Sequence, residues 1–134
     1  MSLGLRRLWM GLTKSGAATS PNAEDPRLRG RTYAIPFDVV WAAALAVADG
    51  GLPRWRLIEA DDHEGIIRAE SDAGLGAPSD VVITITLDAN AQTRVDARAA
   101  YRGTRGDMGA CTRRIARFFA ALDRDLARGE LVPR

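Results

Sequence analysis

The sequence predicts an α+β domain: a curved antiparallel sheet with two helices packed on one of its faces, in the order β-α-β-β-β-β-α. Between residues 55 and 101, four segments alternate apolar with polar residues, which is the period of strands that bury one face. Two other segments, 36–50 and 108–128, repeat apolar residues at three- and four-residue steps, as helices with one buried stripe do. Consecutive hairpins covered on one face by helices are the expected packing for such elements.

The two predicted helices have clear ends. Pro36 is tolerated in a first turn and opens the first helix, and Gly50-Gly51 ends it. The longest helix begins near Met108 and continues to Arg128, with arginines mostly off its apolar stripe. The periodicities select one face of each element and predict a shared core, whose members are Trp41, Ile83, Ile85, Val95, Ile115, Phe118 and Leu122.

The strand boundaries and the domain organisation follow from the same patterns. Residues 129–134 end in Leu-Val-Pro-Arg, the sequence that thrombin leaves when it removes a purification tag, and we interpret them as a tag remnant. Residues 1–30 are predicted to be an amphipathic N-terminal segment and a linker that is rich in Ser, Thr, Ala, Pro and Asn, and residues 31–128 to be a single domain. The strands are predicted at residues 31–35, 55–61, 65–71, 81–88 and from 93 onward.

Composition excludes several functional classes. A net charge of +2, with acids interspersed among the basic residues, does not favour nucleic-acid binding. The single cysteine, Cys111, cannot form an intrachain disulfide and lies on the predicted buried stripe, so we expect a core thiol. The residues from Asp61 to Glu64 resemble a metal cluster, but four consecutive side chains on a tight turn cannot converge on one ion, so neither a metal nor a cofactor is predicted.

The N-terminal segment suggests a short amphipathic helix. Leu5, Leu8, Trp9 and Leu12 recur at helical spacing, but the apolar run is too short for a secretion signal or a membrane span. We therefore expect a cytoplasmic protein. Residues 3–12 either pack on the domain or contact a membrane surface or a partner.

A polar corner is predicted where the last strand turns into the last helix. Three glycines interleaved with arginines lie there, and the backbone amides of a helix start attract anions. Asp107 favours a structural role instead, because a carboxylate just before Met108 would cap the helix and fill the position of an anion. An arginine–carboxylate network with Asp80 is also plausible. The residues of this corner are Asp80, Arg98, Arg102, Gly103, Arg105, Gly106, Asp107 and Gly109.

The corner favours binding over catalysis. In an enzyme, Asp80 or Asp107 would serve as the base while an arginine held an anionic group, but no His, Ser or Cys nucleophile is positioned beside them. We therefore predict a non-catalytic binding or interaction module for an unidentified protein or small molecule. A small enzyme or anion-binding protein that uses the corner remains the alternative.

Several motifs resemble a known family. Arg98, Arg102-Gly103, Asp107-Met108-Gly109 and Arg114-Ile115 have the order and spacing of motifs in the family called domain of unknown function 1499. The resemblance extends over about residues 20–122 and implies a fold and special positions, but no activity. The sequence departs from the family pattern at Ser79, Ala99, Tyr101 and Cys111.

A second resemblance concerns the segment from Pro36 through Trp41. This segment, continued to Trp55, is similar to the opening of the helix-grip superfamily of lipid- and hormone-binding proteins. This resemblance implies a helix-grip-like arrangement of sheet and helices, and a small-ligand or lipid binder as a further alternative.

Overall fold

The structure is an open antiparallel sheet of six strands with two helices, which confirms the predicted α+β class. The computed structural model describes residues 16–72, 78–101 and 108–131, with the backbone alone at residues 108 and 129–131. The elements are the strands β1 (Gly16–Ala18), β2 (Arg31–Tyr33), β3 (Trp55–Asp61), β4 (Ile66–Ser71), β5 (Ser79–Leu87) and β6 (Thr93–Tyr101), and the helices α1 (Phe37–Ala46) and α2 (Met108–Leu131).

The strand order is β1-β6-β5-β4-β3, and β2 also pairs with β6. Strand β1 pairs with the last part of β6 and β2 with its first part, so the two short strands share one edge of the sheet. The sequence does not predict β1, which lies in the segment interpreted as a linker. Its three residues, Gly-Ala-Ala, are too few and too small to show a hydrophobic period.

The core lies between the helices and one face of the sheet. Alternate residues of β4, β5 and β6 contribute to it, and both helices bury residues in the same cluster. Six of the seven predicted core residues are buried, and Phe118 and Cys111 are fully so. Trp41 is the exception: it is only half-buried and lies at the edge of the core, where its ring stacks on Phe37 with the centroids 5.9 Å apart.

The helix boundaries differ modestly from the prediction. Pro36 lies at the N-cap of α1, and after Ala46 the chain continues as a π-helical turn, Val47–Gly51. Gly50 closes this turn with a φ of 88°, a left-handed conformation that favours glycine. Helix α2 extends beyond the predicted end and includes Leu131, so part of the presumed tag remnant is helical.

The turn between β3 and β4 shows why its residues are polar. The carboxylate of Asp61 accepts hydrogen bonds from the backbone amides of His63 and Glu64 at 3.0 and 3.2 Å. Gly65 follows with a φ of 70°, and a Cβ atom there would lie 2.1 Å from the carbonyl oxygen of Ile85. The acidic side chain therefore shapes the turn, and glycine is required where β5 passes it.

Candidate functional site

A cleft of about 370 Å³ opens between the first half of α2 and the adjoining ends of β3 and β4. Four arginines line it, against one carboxylate. Its lining residues are Pro53, Arg54, Trp55, Ser71, Asp72, Ala110, Arg113, Arg114 and Arg117.

Pairing between β3 and β4 sets one wall of the cleft. Trp55, the first residue of β3, is opposite Ser71, the last residue of β4, and the amide of Asp72 donates to the carbonyl oxygen of Arg54 at 3.0 Å. The ring of Trp55 stacks on Phe118 with centroids 6.0 Å apart, which anchors this end of the sheet against α2. The pairing of these two strands thus brings together, on one wall of the cleft, residues that are distant in the sequence.

Helix α2 supplies the opposite wall. Arg113 and Arg117 are four residues apart and Arg114 and Arg117 three apart, so all three lie on neighbouring positions of one helix face. Like charges at these spacings each destabilise a helix by about 0.2–0.5 kcal/mol. The first turn of α2 contains no acidic residue to offset them. The charge of this face is therefore unfavourable for the isolated helix and attractive to an anion.

Arg114 is the most informative residue of the cleft. Its Nε donates to Ser71 Oγ at 3.2 Å, and this is its sole hydrogen bond to any described residue. Its Nη1 is buried and has no hydrogen-bond partner among the described residues, and no described carboxylate pairs with it. A buried donor without a partner costs about 1–3 kcal/mol, and more when the group is charged. The fold thus holds an uncompensated guanidinium charge at the cleft.

Arginines on the outer face of the sheet are arranged differently. Arg68 pairs with Glu59 across β3 and β4 at 3.2 Å, and Arg56 pairs with Glu70 on the same two strands. On β6, Arg94 pairs with Asp96 at 3.0 Å. These cross-strand and local pairs neutralise charge within the protein, whereas Arg117 in the cleft makes no hydrogen bond or ion pair within the described residues.

The structure describes three residues of the predicted polar corner. Asp80 and Arg98 lie on the outer face of the sheet, where Asp80 is opposite Ala100 and Arg98 is opposite Val82. They are diagonal neighbours, within reach of a long side chain. Burial of the guanidinium lowers the pKa of Arg98 below its ordinary value. Gly109 is exposed in the first turn of α2.

The remaining corner residues lie outside the described residues. These are Arg102, Gly103, Arg105, Gly106 and Asp107, and the expected capping of α2 by Asp107 therefore stays a prediction. The same holds for the N-terminal segment that includes residues 3–12. Asp80 and Arg98 lie on the face of the sheet opposite the helices, away from the arginine cleft.

The cleft itself is not predicted by the sequence patterns. Arg114 appears in the family-like motif, and the arginines of α2 lie off its apolar stripe, so part of the signal was present. Three arginines at i, i+1 and i+4, with no acidic residue in the first turn of the helix, could have indicated an anion site. Arg54 and Ser71 could not be added to it, because only the pairing of β3 with β4 brings them there.

Among the described residues, no group of three or more His, Cys, Asp and Glu side chains is arranged to hold a metal ion. None of the described helices is long and apolar enough to cross a membrane.

Comparison with known proteins identifies a family. The family model described as "Protein of unknown function (DUF1499)" matches residues 13–122, most of the chain. Neither the search of curated proteins nor the search of solved structures found a match to this chain. The family resemblance seen in the sequence motifs is thereby confirmed.

Proposed function

We propose that this chain, which belongs to the DUF1499 family of proteins of unknown function, is a non-catalytic binding module that takes an anionic group of a small ligand in its arginine cleft. The observation that carries the proposal is Arg114: a half-buried guanidinium, fixed by one bond to a neutral serine, with no described acid to balance it. Buried charges in proteins are ordinarily paired, so an unpaired one beside a cleft indicates a partner from outside the chain.

The size and lining of the cleft support a small ligand. A volume of about 370 Å³ is in the range of pockets for small molecules. Pro53, Trp55 and Ala110 give the cleft an apolar part beside its charges, so a ligand with an anionic group and an organic body would find both kinds of contact.

Binding is favoured over catalysis by the same lining. The described residues that line the cleft include no His or Cys, and the hydroxyl of Ser71 contacts a guanidinium rather than a base. A nucleophile needs an adjacent group to take its proton, and arginine does not serve as that base because it stays protonated. Arginines instead serve to hold carboxylates and phosphates through their planar array of donors.

A matched pair of variants tests the proposal. Arg117→Gln removes one charge from the cleft, and Arg128→Gln removes one charge from the far end of the same helix, where Arg128 is exposed. Both variants have the same net charge, so non-specific attraction of anions changes equally in both. Calorimetric titration with inorganic phosphate, pyrophosphate and citrate would measure the affinities.

We expect at least one probe to bind the parent protein, Arg117→Gln to weaken that binding about tenfold, and Arg128→Gln to leave it unchanged. The proposal is wrong if no probe binds, or if the two variants bind as tightly as each other.

A further inference from the structure

We infer that the anionic group held in the cleft is a phosphomonoester, an inference that rests on the proposed function and specifies its ligand class. Arg114 and Arg117 have no acid partner among the residues that the structure describes, and they are three residues apart on one face of α2. Two neighbouring unpaired guanidinium groups are balanced by a ligand with two negative charges.

A phosphomonoester matches this charge better than organic groups that carry a single negative charge. It carries about −1.5 to −2 charges at pH 7, because its second pKa is near 6, and it presents three acceptor oxygens. A carboxylate, a sulfate ester and a phosphodiester each carry a single negative charge. Each of these would leave one of the two guanidinium charges without a counter-charge.

The arrangement of donors supports the same class of ligand. The bond from Arg114 Nε to Ser71 Oγ fixes the side chain, and its two terminal nitrogens have no partners among the described residues. Ser71 accepts that bond, and its own hydroxyl hydrogen has no described acceptor, so it is available as a neutral donor. Charged and neutral donors around one point suit a group with several acceptor oxygens.

The first turn of α2 adds to this field. Ala110 lines the cleft and lies in that turn, close to the positive end of the helix dipole, where anions are stabilised. Asp72 is the one acid in the lining and opposes an anion, but four arginines surround the same space. The balance of charge in the cleft therefore favours a ligand with more than one negative charge.

The test compares three ligands with the same aromatic body: phenyl phosphate, phenyl sulfate and benzoate. At about pH 7.5 we expect phenyl phosphate to bind the parent protein about tenfold more tightly than the other two. Arg114→Met should remove this preference, because it removes one of the two unpaired charges. Circular dichroism of the variant would confirm that it is folded.

A pH series gives an independent readout. Below about pH 6 phenyl phosphate gains a proton and becomes a monoanion, so its advantage over phenyl sulfate should disappear near pH 5. Phenyl sulfate keeps its charge throughout, so any titration of the protein would move both ligands alike. The charged groups that face the cleft are Arg54 before β3, Asp72 after β4, and Arg113, Arg114 and Arg117 on α2.

The outcomes separate the inference from the proposed function. Equal, Arg114-dependent affinity for all three ligands would overturn the phosphomonoester while leaving the anion-binding module. No binding of the three ligands or of vesicles that carry a phosphomonoester lipid would overturn both. Vesicles containing phosphatidic acid present the same group on a lipid. Binding to these vesicles but not to phenyl phosphate would identify a lipid headgroup as the source. Binding to both would identify a soluble phosphomonoester as the source.

Discussion

Replacement of Arg114 by methionine separates a functional arginine from a structural one. Arg114→Met removes the charge and the hydrogen bond to Ser71 but keeps an unbranched side chain that can fill much of the same space. If the guanidinium were half of an internal buried ion pair, its removal would cost about 3–5 kcal/mol of unfolding free energy. From the contacts of Arg114 in the structure, we expect a much smaller loss of unfolding free energy.

The magnitude follows from the contacts. The lost hydrogen bond from a charged donor costs about 1.5–3 kcal/mol. Against this, the change removes a buried unpartnered donor that costs about 1–3 kcal/mol, and repulsion from Arg117 of about 0.2–0.5 kcal/mol. We therefore expect the stability of Arg114→Met to lie within about 1 kcal/mol of the parent. Urea unfolding followed by circular dichroism would measure it.

A double variant sharpens this test. In Arg114→Met the hydroxyl of Ser71 is left buried without its donor, so Ser71→Ala in the same chain should restore stability to the parent level or above it. A loss of about 3 kcal/mol or more in both the single and the double variant would refute the reasoning. It would show that Arg114 stabilises the fold, and it would remove the main evidence that the cleft binds an anion.

Three further predictions concern the fold. Phe118→Ala should lower the unfolding free energy by about 3–5 kcal/mol in urea unfolding, because its ring is fully buried between Trp55 and Phe119; a change below 1 kcal/mol would contradict the core. Gly65→Ala should lower the melting temperature markedly, since a Cβ would meet the carbonyl oxygen of the strand alongside at 2.1 Å; an unchanged melting temperature would refute that turn geometry. Burial, and next a hydrogen bond to Asp123, raise the pKa of Tyr33 well above its ordinary value near 10, so its contribution to stability is full below about pH 10 and is lost as the pH rises further. Unfolding of Tyr33→Phe at about pH 8 and pH 11 should therefore show a smaller alkaline loss than the parent, and equal losses would contradict the shift.

The long elements could be predicted because their patterns are local. Strands β5 and β6 each have nine residues, enough for the alternation of apolar and polar side chains to identify the buried face. Helix α2 shows the helical period over six turns of sequence. In each case the pattern depends on neighbours within the same element, so the sequence contains the whole signal.

The short elements could not be predicted for the opposite reason. Strand β1 has three small residues and becomes a strand because β6, about 80 residues later, offers an unpaired edge. Trp41 satisfies the helical period of α1 but lies at the margin of the core beside Phe37, where the helix face is covered only in part. Periodicity shows which face turns inward and does not show how far the covering element extends.

The cleft differs from the outer face of the sheet in whether its arginines are paired with acids. On the outer face of the sheet, Arg68 pairs with an acid on the neighbouring strand, and Arg94 pairs with an acid two residues further along its own strand. The sheet register and the local sequence there both place opposite charges side by side. On α2 the same residue type is placed where neighbouring positions repel, and Arg114 is half-buried beside a serine instead of an acid. Sequences that specify a fold are consistent across these levels, and positions that break the consistency mark functional sites more often than defects. An anion bound in the cleft would restore the consistency, because it would satisfy the unpartnered guanidinium and cancel the repulsion along the helix face. By binding only the folded chain, it would also raise the free energy of unfolding with the logarithm of its concentration.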